Sequence, residues 1–598
     1  MRSATPFLIA ALAVAGVSRA DEKLAALPDT ETRETSGQLP ATNSSPESES
    51  DRSHWLRGEV RIGDEWIHYA QVSNLDSRQA LLERYRELRS DRGTSIEDQL
   101  NLANECRKLN LVDEERAHLE QVVRQDRNHA VARERLGDLL IEGSWYSPRD
   151  RQQLQARLTD LASAEKRYGA VIRKAVKQLN DPLRRRQEAA GKILAAIQDP
   201  AAIPLMEQAL AYGNEASQIM YLNWLDQVPS WKSSAAMAKL SLTSESPQVR
   251  METAKRLRER SWEEFVPVYL AEMVLLAEVK SEIVRRGPWA QLTLVTSTET
   301  SDFKSTKIVI SRFVPPVIQL ISYAARTNEF SFPFPEFNTA DGGVRELESL
   351  VFREIDQVSL SNVDQKFRND RACQALSSAI GVTGASSPAR WWHWWDEVQG
   401  YTDTEKEMIS TNYEENWFLS GRGTKIRLAK PEKIRRIVMS CFVPGTLIHT
   451  ESGLAPIESI QIGDRVLSQD VETGELTYKP VLRTTVRESR DTRRIRSGSD
   501  ELQCSPGHPF WVSGQGWVQA HDLSDKSQLH TIQGAAAVAS VTEDLAATVH
   551  NLEVADFNTY FVGNSHILSH DVTVRDPSDM VEPGVLKPEL AAFAEKSH

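Results

Sequence analysis

The chain has 598 residues, 40% of them apolar and 26% charged, and a formal net charge of −13. That length exceeds what one hydrophobic core supports and predicts roughly three to five domains. The negative balance argues against a general binder of nucleic acid or of an anionic membrane surface, although a basic stretch runs from Arg483 to Arg496. At the N-terminus, Arg2 precedes an apolar stretch from Pro6 to Val17, and Ser18-Arg19-Ala20 has the small-x-small pattern of a cleavage site. The run is too short to span a bilayer, so it reads as a signal peptide cut after Ala20, with an exported mature chain. Residues 21–53, rich in Ser, Thr, Glu, Pro and Asp, predict a disordered linker.

Residues 54–72 alternate apolar and polar around Gly63-Asp64, a short hairpin signal. From Ser77 to Gly143 the spacing becomes helical, with Ala103, Ala117, Ala130 and Ala132 small enough to let helices approach. The stretch NLANECRKLNLVDEERAHLEQVVRQDRNHAVARERLGDLL resembles tetratricopeptide-like helix pairs, so residues 54–150 are assigned a hairpin plus such helices. Residues 151–280 hold three segments laid out as two helices and a turn, with Asp199-Pro200 and Val228-Pro229 between paired helices. Their period of about 32 residues resembles HEAT-like repeats. Such a body is either a concave surface for a protein partner or a helical spacer.

The β-branched runs in 288–324 predict a small sheet or hairpin. TGASSPARWWHWWDEV then predicts a helix with Ser387 as N-cap and Pro388 at its first position. Trp391, Trp394, Trp395 and Val398 share one face, which suits docking on the helical body better than a carbohydrate platform. Residues 281–430 are thus a mixed α/β extension.

Beyond residue 441, short strands split by Gly, Asp and Ser turns predict an all-β domain over 441–572, with a flexible tail at 573–598. Three motifs stand there in order: CFVPGTLI with IESIQIGD, then LQCSPGHPFWV, then NLEVADFNTYFVGNSHILSHD. Together they resemble the Hint (hedgehog/intein) superfamily, especially its bacterial pretoxin-type branch. The resemblance implies autocatalytic attack by Cys441 on the Ser440–Cys441 peptide bond. It implies a hydrogen bond from the scissile amide to Ser505, protonation of the leaving nitrogen by His508, an orienting or deprotonating role for Asp556, and a closing pair His570-Asp571. Thiolate formation and proton delivery near neutral pH are what such a reaction demands.

The chain departs from that pattern at its end. Asp571 lacks the amide nitrogen that forms succinimide, Val572 has no nucleophile, and Asn558 stands where relatives often carry histidine. N-terminal cleavage without splicing is therefore expected. The four cysteines (Cys106, Cys373, Cys441, Cys504) make no disulfide scaffold and no metal spacing, so no cofactor is implied. Cys504 reads as packing, with an inhibitory disulfide to Cys441 as the alternative.

Overall fold

A computed structural model describes residues 49–598, apart from 142–143, 287–288, 300–304, 315–317, 321–334, 338–340, 383–386, 400, 405–407, 419–420, 429–435, 439–440, 490, 574 and 596–598. The chain divides into two units. One holds residues up to Leu210, Gln227–Ser230 and Met439–His598; the other holds Ala211–Asp226 and Trp231–Val438. The N-terminal apolar run read as a signal peptide and most of the predicted linker lie outside the described residues. The last residues of the expected disordered linker are ordered instead: a helix begins at Glu49.

In the first unit, α1 (Glu49–Leu56) leads into a hairpin of β1 (Glu59–Ile62) and β2 (Glu65–His68). Gly63 takes the turn at φ 63°, as the alternation around it predicted. A single turn, α2 (Tyr69–Val72), precedes α3 (Asp76–Ser90), α4 (Ile96–Lys108), α5 (Val112–Gln125) and α6 (Ala130–Leu136). Ser95 caps α4 through the Asp98 amide, and Gly137 closes α6 at φ 73°. Ala103 and Ala132 are fully buried beside Leu119 and Val122, so the small side chains do bring helices together. Ala117 instead packs on Leu482 and Ala555 of the β domain.

That β domain is one highly bent sheet. Its path runs from Asp500–Cys504 and Thr492–Ser497 through Gly534–Asp544, Gln528–Thr531 and Pro509–Val512. It continues through Ile567–His570, Thr559–Val562, Leu447–Thr450 and Arg465–Gln469 to Leu476–Ser489 and Ala547–Val554. The strand Leu476–Ser489 pairs first with Arg465–Gln469 and then with Ala547–Val554, which couples the two halves.

Three short strands, Pro509–Val512, Thr559–Val562 and Ile567–His570, are buried at every position. Side chains alternate between faces along a strand. Phe510, Val512, Tyr560, Val562 and Ile567 enter the inner core with Phe442, Ile448 and Val466. Trp511, Phe561 and Leu568 point the other way and pack with Leu467 and Tyr478 against Trp55, Val60, Tyr69 and Val72. The outer face of the sheet is thus covered by α1, the hairpin and α2. Fully burying each such aromatic or aliphatic side chain is worth about 1.5–3 kcal/mol.

Charges line the rest of this seam. Arg78 binds Glu451 at 2.8 Å and Glu114 at 3.0 Å, and Arg465 faces Asp113 at 3.2 Å and Glu451 at 3.5 Å. Arg89 meets Asp464 at 2.9 Å, and Arg124 pairs with Glu553. Glu451 is only 2% exposed. Burial alone raises its carboxyl, but Arg465 and Arg78 outweigh that and hold it below the usual range.

The C-terminal segment does not form the expected flexible tail. Met580–Glu582 and Val585–Leu586 pair as a hairpin, and Pro588–Glu595 is helical. Gly514 N–H donates to the Val581 carbonyl, Gly584 N–H donates to Val471, and His530 meets Glu582 at 2.8 Å.

In the second unit, Glu215–Gln227, Trp231–Thr243, Pro247–Leu257 and Trp262–Glu272 are helices. Hydrogen bonds join residues one helical pair apart: Ser246 to Glu215, Ser234 to Glu264, and Arg256 to Asn223. A five-stranded sheet runs in the order Gly421–Leu428, Met408–Phe418, Ser305–Val314, Trp289–Glu299 and Glu278–Arg286. A helix spanning Asp341–Ile380 packs Leu347 on Leu292 and Leu294. The tryptophan helix, Pro388–Val398, starts after Ser387 as expected. Trp391, Trp392 and Trp395 are buried, and Trp394 meets Trp262 at a ring distance of 5.5 Å, so these indoles serve packing. No helix among the described residues is long and apolar enough to cross a membrane.

Candidate functional site

The first residues of the β domain thread between two strands. Phe442 N–H donates to the His550 carbonyl at 2.8 Å and its own carbonyl accepts from His550 N–H at 2.7 Å. Val443 N–H donates to the Gln503 carbonyl at 3.1 Å. Cys441 is thereby fixed at the centre of the domain with no solvent exposure. Its amide N–H donates to Ser505 Oγ at 3.0 Å, and Ser505 N–H returns a bond to the Cys441 carbonyl at 2.9 Å. The nitrogen of the bond singled out by sequence thus rests on the hydroxyl singled out with it. Ser440, on the carbonyl side of that bond, lies outside the described residues.

Burial pushes the Cys441 thiol up to about 12, against a small opposing pull from Arg487. At neutral pH it is a thiol, so attack requires that a base take its proton. Cys504 is a second buried thiol, raised by burial and by the neighbouring Cys441. No disulfide joins the two cysteines.

His508 closes the Ser505–His508 turn, its N–H donating to the Ser505 carbonyl at 3.1 Å. The imidazole lies against the Phe442 ring with centroids 4.0 Å apart, and its Nε2 is 2.6 Å from Ser569 Oγ. Through Ser569 the motif around Cys441 reaches the end of the domain. There His570 Nδ1 is 3.1 Å from the Asp571 carbonyl, and burial drives the ring down to about 3, so it is neutral near pH 7.

Asp571 is fully buried. It accepts hydrogen bonds from Val554 N–H at 2.9 Å, Thr573 N–H at 2.7 Å and Thr573 Oγ1 at 2.5 Å. Burial outweighs those bonds and lifts its carboxyl to about 8. Its backbone N–H donates to the Asn558 carbonyl at 2.8 Å.

Asp556, the expected orienting residue, has its carboxylate engaged by cations. Its carboxylate is gripped by Arg116 at 2.9 and 3.0 Å and by Lys479 at 3.1 Å. Its carbonyl accepts from Arg149. Burial acts to raise this carboxyl, but Lys479 and Arg116 dominate and hold it well below the usual range. Asp556 and Asn558 both adopt left-handed backbone, at φ 62° and 57°, which Asp and Asn tolerate better than most residues. Asp556 thus sits at a turn and in an ion cluster, whose Arg116 comes from a helix 440 positions earlier in the chain.

Sequence reasoning missed Tyr560, Asn551 and Ser569. Tyr560 Oη donates to Asn551 Oδ1 at 2.5 Å, and the same oxygen accepts from Leu552 N–H at 2.7 Å. Burial raises the Tyr560 phenol, and Cys441, Asp571 and Cys504 push it the same way. In TYFV it reads only as a strand aromatic. The alternation of that run offered the one available clue, since it sends Tyr560 to the Phe442 side.

Residues 447–576 match the family described as Pretoxin HINT domain. No curated protein matches the chain. Among solved structures, a bacterial intein-like domain from Clostridium thermocellum is 35% identical, covering 22% of this chain and 99% of that one, with a TM-score of 0.22. A DnaB intein from Synechocystis is 17% identical, with the same 22% and 99% coverage and a TM-score of 0.21. Residues 447–576, within this all-β sheet and just after Cys441, thus form a pretoxin-type HINT domain.

Proposed function

We propose that the β domain cleaves its own chain at Ser440–Cys441. The Cys441 Sγ attacks the Ser440 carbonyl carbon, the C–N bond breaks, and the thiol proton ends on the Cys441 nitrogen, which leaves as an amine. Water then resolves the thioester, giving a Ser440 carboxylate and regenerating the Cys441 thiol. The observation that carries this reading is the hydrogen bond from Cys441 N–H to Ser505 Oγ, which holds the leaving nitrogen in a dry, fixed position. His508, with its Nε2 on Ser569, is the group suited to move the proton. Asp571 has no amide with which to cut the far end, so the reaction stops at one bond, in a single turnover.

A second reading makes the domain an inert scaffold. It is favoured by the raised Cys441 thiol and by the engagement of Asp556 with Arg116 and Lys479. Intact mass of the mature chain under reducing conditions with added thiol separates the two. Cleavage is expected in the wild type and absent in Cys441→Ala; an identical pattern in both chains refutes self-cleavage. We further infer an exported protein whose HEAT-like helical pairs offer a surface to a protein partner. The N-terminal apolar run and the spacing of the helix-linking hydrogen bonds support this.

A further inference from the structure

We propose that cleavage at Ser440–Cys441 nicks the protein without releasing the β domain, because residues 49–136 hold that domain noncovalently across the cut. This rests on the self-cleavage reading above, since residues 49–136 and the β domain fall on opposite sides of that bond. They nevertheless belong to one compact unit.

Two independent features bind them. First, the sheet is apolar on both faces, and Trp511, Phe561 and Leu568 on its outer face are buried against Trp55, Val60 and Tyr69. A departing β domain would expose a contiguous aromatic and aliphatic surface to water, which is costly in proportion to its area. Second, the charges are complementary. Arginines of α3 and α5 meet carboxylates of the β domain at Arg78–Glu451, Arg89–Asp464, Arg116–Asp556 and Arg124–Glu553. Glu451 is nearly dry and most of the others are largely buried, and separation would leave them to be rehydrated singly or stranded.

Close fit adds specificity at one point. The Tyr85 hydroxyl sits on Gly463, where a Cβ would collide with it, and it also lies 3.3 Å from the Ile462 carbonyl. The turn at Gly463 is thereby read by a side chain from the other side of the cut. The occupant of this face of the HINT domain is the chain's own N-terminal segment, before and after cleavage.

The experiment uses the full chain carrying Cys441→Ala and a site-specific protease sequence inserted within residues 431–435, so it does not depend on self-cleavage. After cutting by the added protease, the two fragments should resolve on a denaturing gel yet elute together by native size exclusion at micromolar concentration. Separate elution overturns the proposal. A second chain adds Arg116→Glu, Arg124→Glu and Trp55→Asp, which turn two attractive pairs repulsive and put a charge into the apolar contact. It should elute as an intact monomer before cutting and as two species after. Continued co-elution of its fragments would also overturn the proposal, because another surface would then be holding them.

Discussion

The centre around Cys441 and the seam around Glu451 both take titratable groups out of water, yet they handle charge in opposite ways. At the centre, burial keeps groups uncharged: Cys441 is raised to about 12, Asp571 to about 8, and His570 is lowered to about 3. At the seam, burial is offset by partners, so Glu451 and Asp556 remain ionised beside arginine and lysine. Neutral groups can exchange protons during a reaction without stranding a charge. Ion pairs, in contrast, hold two parts of the chain in register and strongly resist the loss of one partner.

The largest expected effect falls on the seam. Arg465→Met removes the cation shared by Glu451 and Asp113 and should destabilise the first unit by about 3–5 kcal/mol in denaturant unfolding. A change below about 1 kcal/mol would mean that Arg78 alone neutralises the cluster. Phe442→Ala probes the neutral centre. It opens a cavity beside His508 and should cost about 3–5 kcal/mol, the usual range for deleting a buried aromatic. If its loss exceeds that of Arg465→Met clearly, packing and not charge is the stricter demand.

Ser505→Ala should be milder. It strips the acceptor from Cys441 N–H and is expected to cost about 1–3 kcal/mol, slowing thioester formation while Ser505→Thr restores it. Equal cleavage rates for the alanine and threonine variants would remove Ser505 from the account. The last expected effect is a slope. Asp571 has a folded value near 8, above its unfolded one, so its contribution to stability is full below about pH 4. That contribution erodes as pH rises toward 8 and is gone above it. Subtracting the unfolding free energies of Asp571→Asn from those of the wild type, pH by pH, should display this decline. A flat difference between about pH 4 and 8 would show that Asp571 is ionised in the folded state.

The same contrast explains what the sequence made legible. Cys441, Ser505, His508, His570 and Asp571 sit in short motifs whose order identifies them, and the structure joins Cys441 to Ser505 and His570 to Asp571 directly. The seam is written in no motif. Arg116 and Asp556 are 440 positions apart, and nothing in the local spacing of either announces the other. The tail was unreadable for a similar reason, since its strands are only three and two residues long and find partners in turns at Val471 and Gly514. One trace of the covered outer face was visible. PFWV and TYFV are apolar almost without interruption, which suits strands buried on both sides better than a half-exposed alternation. The helical hairpins followed from their periodicity, while the five-stranded sheet includes a parallel pairing of Ser305–Val314 with Met408–Phe418 across about 100 residues of sequence, beyond any local signal.

The most direct test is to trap the thioester. Wild-type mature chain incubated with hydroxylamine should yield an N-terminal fragment ending in Ser440 as its hydroxamate, alongside a C-terminal fragment whose first residue is Cys441. The account predicts both by mass spectrometry, and neither from Cys441→Ala. A wild-type chain that stays whole, or a Cys441→Ala chain cut at the same bond, would contradict it.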